Sequence, residues 1–387
     1  MYLGKHVLAP TGACSGSRRG MEEDGMSRST FARMLIAMFT GAVITPVAAV
    51  AQTTWYVDDD ALLGGNGLSW ETAYRYLQDA LCEAADDPAI TEIRVAAGVY
   101  QPDQDEGGHV TPGDREATFQ LVNGVGLYGG YRGIDPNNPG DPDDRDPNLF
   151  KCTLSGDLAG NDGPEFVNYD ENSYHVVTGS ATDETAVLDG FTITGGNANA
   201  AGNWPHYCGG GMLIEDGSPT VTHCTFSGNT ASYRGGGIYN EWSCPTLVNC
   251  TFVANAAESS GGGICNCDES SPVLRECVFT ENAAAYGAGM DNGASNPTVI
   301  ACAFATNVAS RDGGGMSNDG SRPELKCCTF NGNSAAYMGG GMFNYYSSNP
   351  TLMRCTFSGN TAGVDGGGMR NGGLSSLMLR SCTFIGN

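Results

Sequence analysis

Seven times in the second half of the chain a Phe is followed three residues later by an Asn, beginning at Phe226, Phe252, Phe279, Phe304, Phe330, Phe357 and Phe384. The intervals are 26, 27, 25, 26, 27 and 27 residues. Two residues before each Phe stands a Cys (Cys224, Cys250, Cys277, Cys302, Cys328, Cys355, Cys382). A glycine cluster keeps the same period, starting at Gly209, Gly235, Gly261, Gly287, Gly313, Gly339 and Gly366, and each is closed by Ile or Met. A self-similar period of this length has to be read before anything else, because it points to a solenoid and not to separate globular domains.

The units read P-x-[LV]-x-x-C-x-F-x-x-N, with Leu377 in place of Pro in the last, then a polar turn and a glycine cluster closed by Ile or Met, followed two residues on by Asn in six of the seven. The apolar runs are three to five residues long and punctuated by Gly, so they predict short strands, not helices. Side chains alternate along a strand, which puts Cys and Phe of one unit on the same face. If one repeat is one circuit, equivalent residues stack about 4.8 Å apart along the axis, giving columns of Phe and Cys and ladders of buried Asn amides. A propeller blade needs a longer unit, a leucine-rich repeat needs a Leu frame that is absent, and a helical solenoid does not tolerate a Gly triplet in every unit. The expected fold is therefore all-β: a parallel β-helix of about 26 residues per coil.

The glycines follow from turns into a crowded core, with no Lys or strand–GxGxxG–helix context to suggest phosphate binding. The Cys column reads as buried thiols acting as small hydrophobes, since the disulfide torsion is hard to meet between identical stacked positions. The off-column residues Cys208, Cys244, Cys265, Cys267 and Cys327 are the bridge candidates. Zinc is disfavoured: His206 and His223 stand far from any Cys-x-x-Cys, which the repeats lack.

Upstream, Ser27–Ala51 has Arg28 and Arg33 at the start of an apolar run ending Ala49-Val50-Ala51, which predicts an export signal cleaved after Ala51. With Thr40, Thr45 and Pro46 inside it, the run is weak as a retained anchor, so no transmembrane segment is expected after cleavage. Residues 1–51 are thus an extension and signal, 52–150 an N-terminal cap with the first irregular coils, and 151–387 the regular repeats. In the cap, Ala73, Leu77, Ala80, Leu81 and Ala84 fall on one face of an amphipathic helix running to about Asp86. Placed between strands at Trp55–Val57 and Ile93–Val95, it would cover the open end of the first coil. At the other end Asn387 closes an F-x-x-N motif in mid-coil, and the bare edge predicts further residues or end-to-end self-association.

A formal net charge of −24, with only Lys5, Lys151 and Lys326 as lysines, excludes the phosphate-neutralising surface of a nucleic-acid binder. Polyanionic sugars are disfavoured for the same reason. Neutral carbohydrate, cations and cell-surface proteins are left as partners.

The pairing of F-x-x-N with G-G-x-[aliphatic] from Gly209 to Asn387 resembles the repeats of chlamydial polymorphic outer-membrane proteins, within the wider pectin-lyase-like class. It differs in carrying Gly where those repeats usually have Ala, and Met in five of the seven aliphatic slots. The resemblance implies a right-handed helix and an extracellular or cell-surface location. It also implies two functions: a structural, adhesive or binding role, which the dominance of regular stacking favours, or polysaccharide lyase or glycoside hydrolase activity.

For hydrolysis, two carboxylates must flank a bond at about 5 Å or more, a separation that adjacent coils supply. Aligning the glycine triplets places Glu215 over Glu241, with Asp216 and Asp268 nearby and Trp242, Tyr239, Tyr207 and Tyr233 as sugar-stacking faces. Charged turn residues that serve solubility are the plainer explanation of the acids. The outward positions Thr222, Val248, Arg275, Ile300, Lys326 and Met353 form no basic–acidic cluster of the lyase kind. In the loop Asp135–Asn148, Asp141, Asp143 and Asp144 are close enough to hold calcium, but the spacing matches neither an EF-hand nor a nonapeptide calcium repeat, and a solvated loop is the simpler reading. No cofactor is otherwise expected.

Overall fold

Each repeat contributes one short strand to each of four parallel sheets. In the coil that begins at Gly235, the chain runs through Ile238–Glu241, Thr246–Val248, Thr251–Val253 and Ala256–Ala257, and the next glycine triplet returns it one level on. The computed structural model describes residues 53–136, 139–200 and 202–387; the expected export signal lies outside them. Sheet I has eleven strands, from Thr53–Val57 to Met378–Arg380, and sheet II ten, from Gly98–Tyr100 to Thr383–Ile385. Sheet III has seven, from Asn197–Ala198 to Thr361–Ala362, and sheet IV nine, from Phe119–Gln120 to Met369–Asn371. Gly98–Tyr100 pairs with Cys152–Ser155, so the irregular coils and the regular ones share their sheets.

The register is that of the repeat: Phe226 pairs with Phe252, Phe252 with Phe279, and so on to Phe384. Ring centroids along this column lie 4.5–5.0 Å apart with planes within 8° of parallel, the spacing of the strands themselves. Cys224, Cys250, Cys277, Cys302, Cys328 and Cys355 line the interior beside it as free thiols. Two Asn ladders run through the regular coils, from Asn229 to Asn387 and from Asn240 to Asn371. In the F-x-x-N ladder Asn255 Nδ2 donates to Asn282 Oδ1 at 3.0 Å, and in the G-G-G-[IM]-x-N ladder Asn240 Nδ2 donates to Asn266 Oδ1 at 2.8 Å. Amides in such positions would be costly to bury unpaired, and stacking pairs each with its neighbour.

Glycine is required at the triplet for two reasons. Gly235 has φ +68°, and a Cβ on Gly237 would lie 2.5 Å from the Gly263 carbonyl oxygen. In the seven regular coils the turn between sheets I and II is made by one left-handed residue (His223, Asn249, Glu276, Ala301, Cys327, Arg354, Ser381), none of them Gly, whereas Gly190 holds that corner one coil earlier. No recurring residue type marks that corner.

At the N-terminal end the helix spans Leu77–Asp86, and Leu77, Ala80, Leu81 and Ala84 pack into the core with Val57, Ile93 and Phe119. It starts later than the apolar spacing suggests. Tyr74 is drawn into β pairing with Val57, its N–H donating to Tyr56 O at 2.9 Å, which leaves Ala73 buried but outside the helix.

Candidate functional site

The outer face of sheet IV gathers most of the residues that the sequence singled out. Strands Met212–Glu215 and Ile238–Glu241 pair in register, so Glu215 lies beside Glu241 on adjacent coils. Asp268 follows on the next turn, with Trp242 and Asp268 both in left-handed backbone at φ +48°. Glu241 is 8% exposed, Glu215 half-buried and Asp268 exposed. Burial pushes the Glu241 carboxyl up to about 7, helped by its hydrogen bond to Asp268 and by the charges of Asp268 and Glu215. A protonated carboxyl beside carboxylates at neutral pH is a group able to donate a proton.

The aromatic residues do not all serve as faces. Trp242 is 52% exposed and Tyr233 41%, and Tyr207 is half-buried. Tyr239 is only 2% exposed, because the loop before Gly209 folds over it and sets Trp204 edge-on to its ring at 5.7 Å. Trp204, itself 40% exposed, takes the outer position and also meets Tyr207 at 5.6 Å. Sequence reasoning passed over Trp204, since it stands in an irregular loop with no place in the repeat.

Beneath these rings is a cluster of Cys208, Leu213, Tyr239, Cys265 and Cys267. Cys265 and Cys267 project from one face of a strand with sulfurs 3.5 Å apart, and Arg234 Nη1 lies 3.5 Å from Cys267 Sγ. Hydrogen bonding from Cys265 together with Arg234 holds the Cys267 thiol below its ordinary value, against burial. Cys208, Cys265, Cys267 and Cys327, all expected as bridge candidates, are free; Cys327 is exposed at the sheet I–II corner. The charge of Arg234 acts on Glu241 against its burial, and nothing in the sequence marks Arg234 because its column position is occupied by other residue types in other coils, such as Ser260 and Tyr286.

The aspartates of the 135–148 loop are engaged elsewhere. Asp143 Oδ1 accepts from Trp70 Nε1 at 3.0 Å and pairs with Arg94 at 2.7 Å, Asp144 pairs with Arg132 at 3.3 Å, and Asp141 Oδ1 accepts the Asp143 N–H at 3.0 Å. These contacts pin the loop to the first coils and turn the three carboxylates toward different partners. The same loop walls a cavity of about 460 Å³ lined by Arg145, Lys151, Asp189, His223, Asn249 and three threonines. There Asp189 accepts hydrogen bonds from Arg145, Thr222 and His223 Nδ1, the last at 2.8 Å, while His223 Nε2 meets Asn249 at 3.3 Å. Burial alone would raise Asp189, but those hydrogen bonds outweigh it and hold the carboxyl below its usual value.

Residues 237–387 match the family described as right handed beta helix region, and residues 223–241 match the Chlamydia polymorphic membrane protein repeat. The fold is therefore a right-handed parallel β-helix, and one segment of it, residues 223–241, matches that repeat. Among solved structures the chain is similar to the surface protein and adhesin PfbA of Streptococcus pneumoniae, at 8% identity and TM-score 0.29 over 84% of this chain and 98% of that one. It is also similar to the A-module of the mannuronan C-5 epimerase AlgE4 of Azotobacter vinelandii, at 13% identity and TM-score 0.28 over 85% and 96%. No curated protein matches the chain. No helix among the described residues is long and apolar enough to cross a membrane.

Proposed function

We propose that the chain is an exported β-helix working at the cell surface or outside it as a binding or adhesive rod, with neutral carbohydrate as its ligand. The observation that carries this is the set of exposed rings flanking one strand: Trp204 and Tyr233 at the entrance to Ile238–Glu241, and Trp242 in the turn that leaves it. Aromatic faces at the rim of a rigid sheet offer apolar area to sugar rings at little entropic cost. The net charge of −24 favours uncharged ligands over uronates and sulfates. The test is retention on insoluble neutral polysaccharides. The wild-type chain binds and leaves the polymer length unchanged, and the Trp204→Ala, Trp242→Ala pair cuts retention at least tenfold. Equal retention by the pair would refute the reading.

One observation favours a second reading, glycoside hydrolysis. Glu241, protonated near neutrality beside Glu215 and Asp268, has the character of a general acid with carboxylate partners. Shortening of the polymer by the wild type, lost in Glu241→Gln, would establish it and displace the binding role.

A further inference from the structure

The turn that leaves Cys152–Ser155 in sheet II holds a group of oxygens that the binding reading does not use. One carboxylate oxygen each from Asp157, Asp162 and Glu171 lies within 4.8 Å of the others, and all three residues are half-buried. Asp157 is oriented by the N–H groups of Asn161 and Asp162 at 3.1 and 3.0 Å. Asn172 packs its amide against the group: Nδ2 donates to Asp162 Oδ2 at 2.8 Å and to Gly195 O at 2.6 Å, and the residue is 0% exposed. Three oxygens here are buried with no hydrogen-bond partner: Asp162 Oδ1, Glu171 Oε1 and Asn172 Oδ1.

Buried polar atoms in folded proteins are nearly always partnered, and an orphaned one points to a water or ion. Three in one loop, two of them on neighbouring carboxylates, are satisfied together by a cation better than by water. Oxygens bound to one calcium at about 2.4 Å lie no more than about 4.8 Å apart, and calcium accepts mixed carboxylate and amide oxygens in irregular geometry. Magnesium demands a near-ideal octahedron and keeps several waters, which suits a half-buried, protein-rich set less well.

We propose that Asp157, Asp162, Glu171 and the side-chain oxygen of Asn172 form a calcium site. The ion staples the 157–171 loop to the coil stack through Asn172, whose Nδ2 holds Gly195 O and whose main-chain oxygen accepts Arg115 Nε. It sits where the irregular coils give way to the regular ones, on a different loop from Asp141, Asp143 and Asp144.

The test is calorimetric titration of calcium chloride into the full chain stripped with a chelator, with thermal unfolding in chelator and in calcium. Expected are one calcium per chain, a higher unfolding temperature in calcium, and at least tenfold weaker binding in Asp162→Asn and in Glu171→Gln. The Asp143→Asn, Asp144→Asn pair should bind as the wild type does. In chelator, Asp162→Asn should unfold at the wild-type temperature or above, because it relieves repulsion between carboxylates; this separates an ion site from a purely structural hydrogen bond. Absence of binding at millimolar calcium would overturn the proposal. So would equal binding of magnesium, unchanged affinity in both single variants, or an equal loss of stability for Asp162→Asn with and without calcium.

Discussion

Replacing Asn282 by Leu tests the interior ladder at one rung. The side chain is fully buried, and its Oδ1 accepts from Asn255 N at 3.1 Å and Asn255 Nδ2 at 3.0 Å. Its Nδ2 donates to Phe252 O at 3.0 Å and Asn307 Oδ1 at 2.9 Å. Leu matches the volume but supplies none of these bonds. The Asn255 N–H is then left buried without an acceptor, at roughly 1–3 kcal/mol, and three further hydrogen bonds are lost at about 1 kcal/mol each. Burying Leu returns about 2 kcal/mol. The expected net loss is about 3 kcal/mol, read as the change in urea-unfolding free energy followed by far-ultraviolet circular dichroism. Asn331→Leu, at an exposed position of strand Thr329–Asn331 two coils further along sheet II, should stay within about 0.5 kcal/mol of the wild type. A loss below about 1 kcal/mol for Asn282→Leu, or one equal to the Asn331 control, would show that the ladder does not stabilise the stack in this way.

Glu241 has a folded value of about 7, above that of a free carboxyl near 4.3, so its contribution is full below about pH 4.3 and is lost as pH rises through about 7. Melting temperature against pH should therefore fall more steeply between pH 5 and 8 in the wild type than in Glu241→Gln, and parallel curves would contradict the burial argument. Asp189 runs the other way: its depressed value gives stability above the free-carboxyl range that disappears in acid. Asp189→Asn should thus be clearly less stable than wild type at pH 7 and nearly equal to it near pH 3, and a constant difference would count against the Arg145–Asp189–His223 network. Under native conditions iodoacetamide should modify Cys327 and spare Cys250, Cys277, Cys302 and Cys328 until the chain unfolds, as followed by peptide mass spectrometry. Rapid modification of that column without denaturant would mean that it does not face the interior.

The coil was legible because one residue type recurs at each buried position: Phe, Cys, Asn and the glycine triplet are fixed by contacts with their own copies above and below. The pairing of Glu215 with Glu241 followed from that register alone. What the repeat could not carry is whatever breaks it. Trp204 closes over Tyr239 from a loop with no counterpart in other coils, so it takes the exposed position expected of Tyr239. Asp189 and His223 meet only because a left-handed corner residue at 223 turns its ring toward the strand below, and no residue type marks that conformation. The Asp157–Glu171 turn was equally silent, since its acids are spread over a loop and converge only when the loop is folded. For the 135–148 loop the acids were plain in sequence, but Arg94, Arg132 and Trp70, which bind them, lie in distant segments.

The central claim, that one repeat is one coil, is tested most directly by deletion. Removing residues 278–302 joins Cys277 to Ala303, which places Phe304 over Phe252 in the position of Phe279 and restores register in all four sheets. Removing residues 278–289 takes away about half a coil and brings mismatched strands together. Thermal unfolding by circular dichroism should show a native-like, cooperative β transition for the full-coil deletion, and none for the half-coil deletion. Loss of folding in the first, or equal tolerance of both, would contradict the coil assignment.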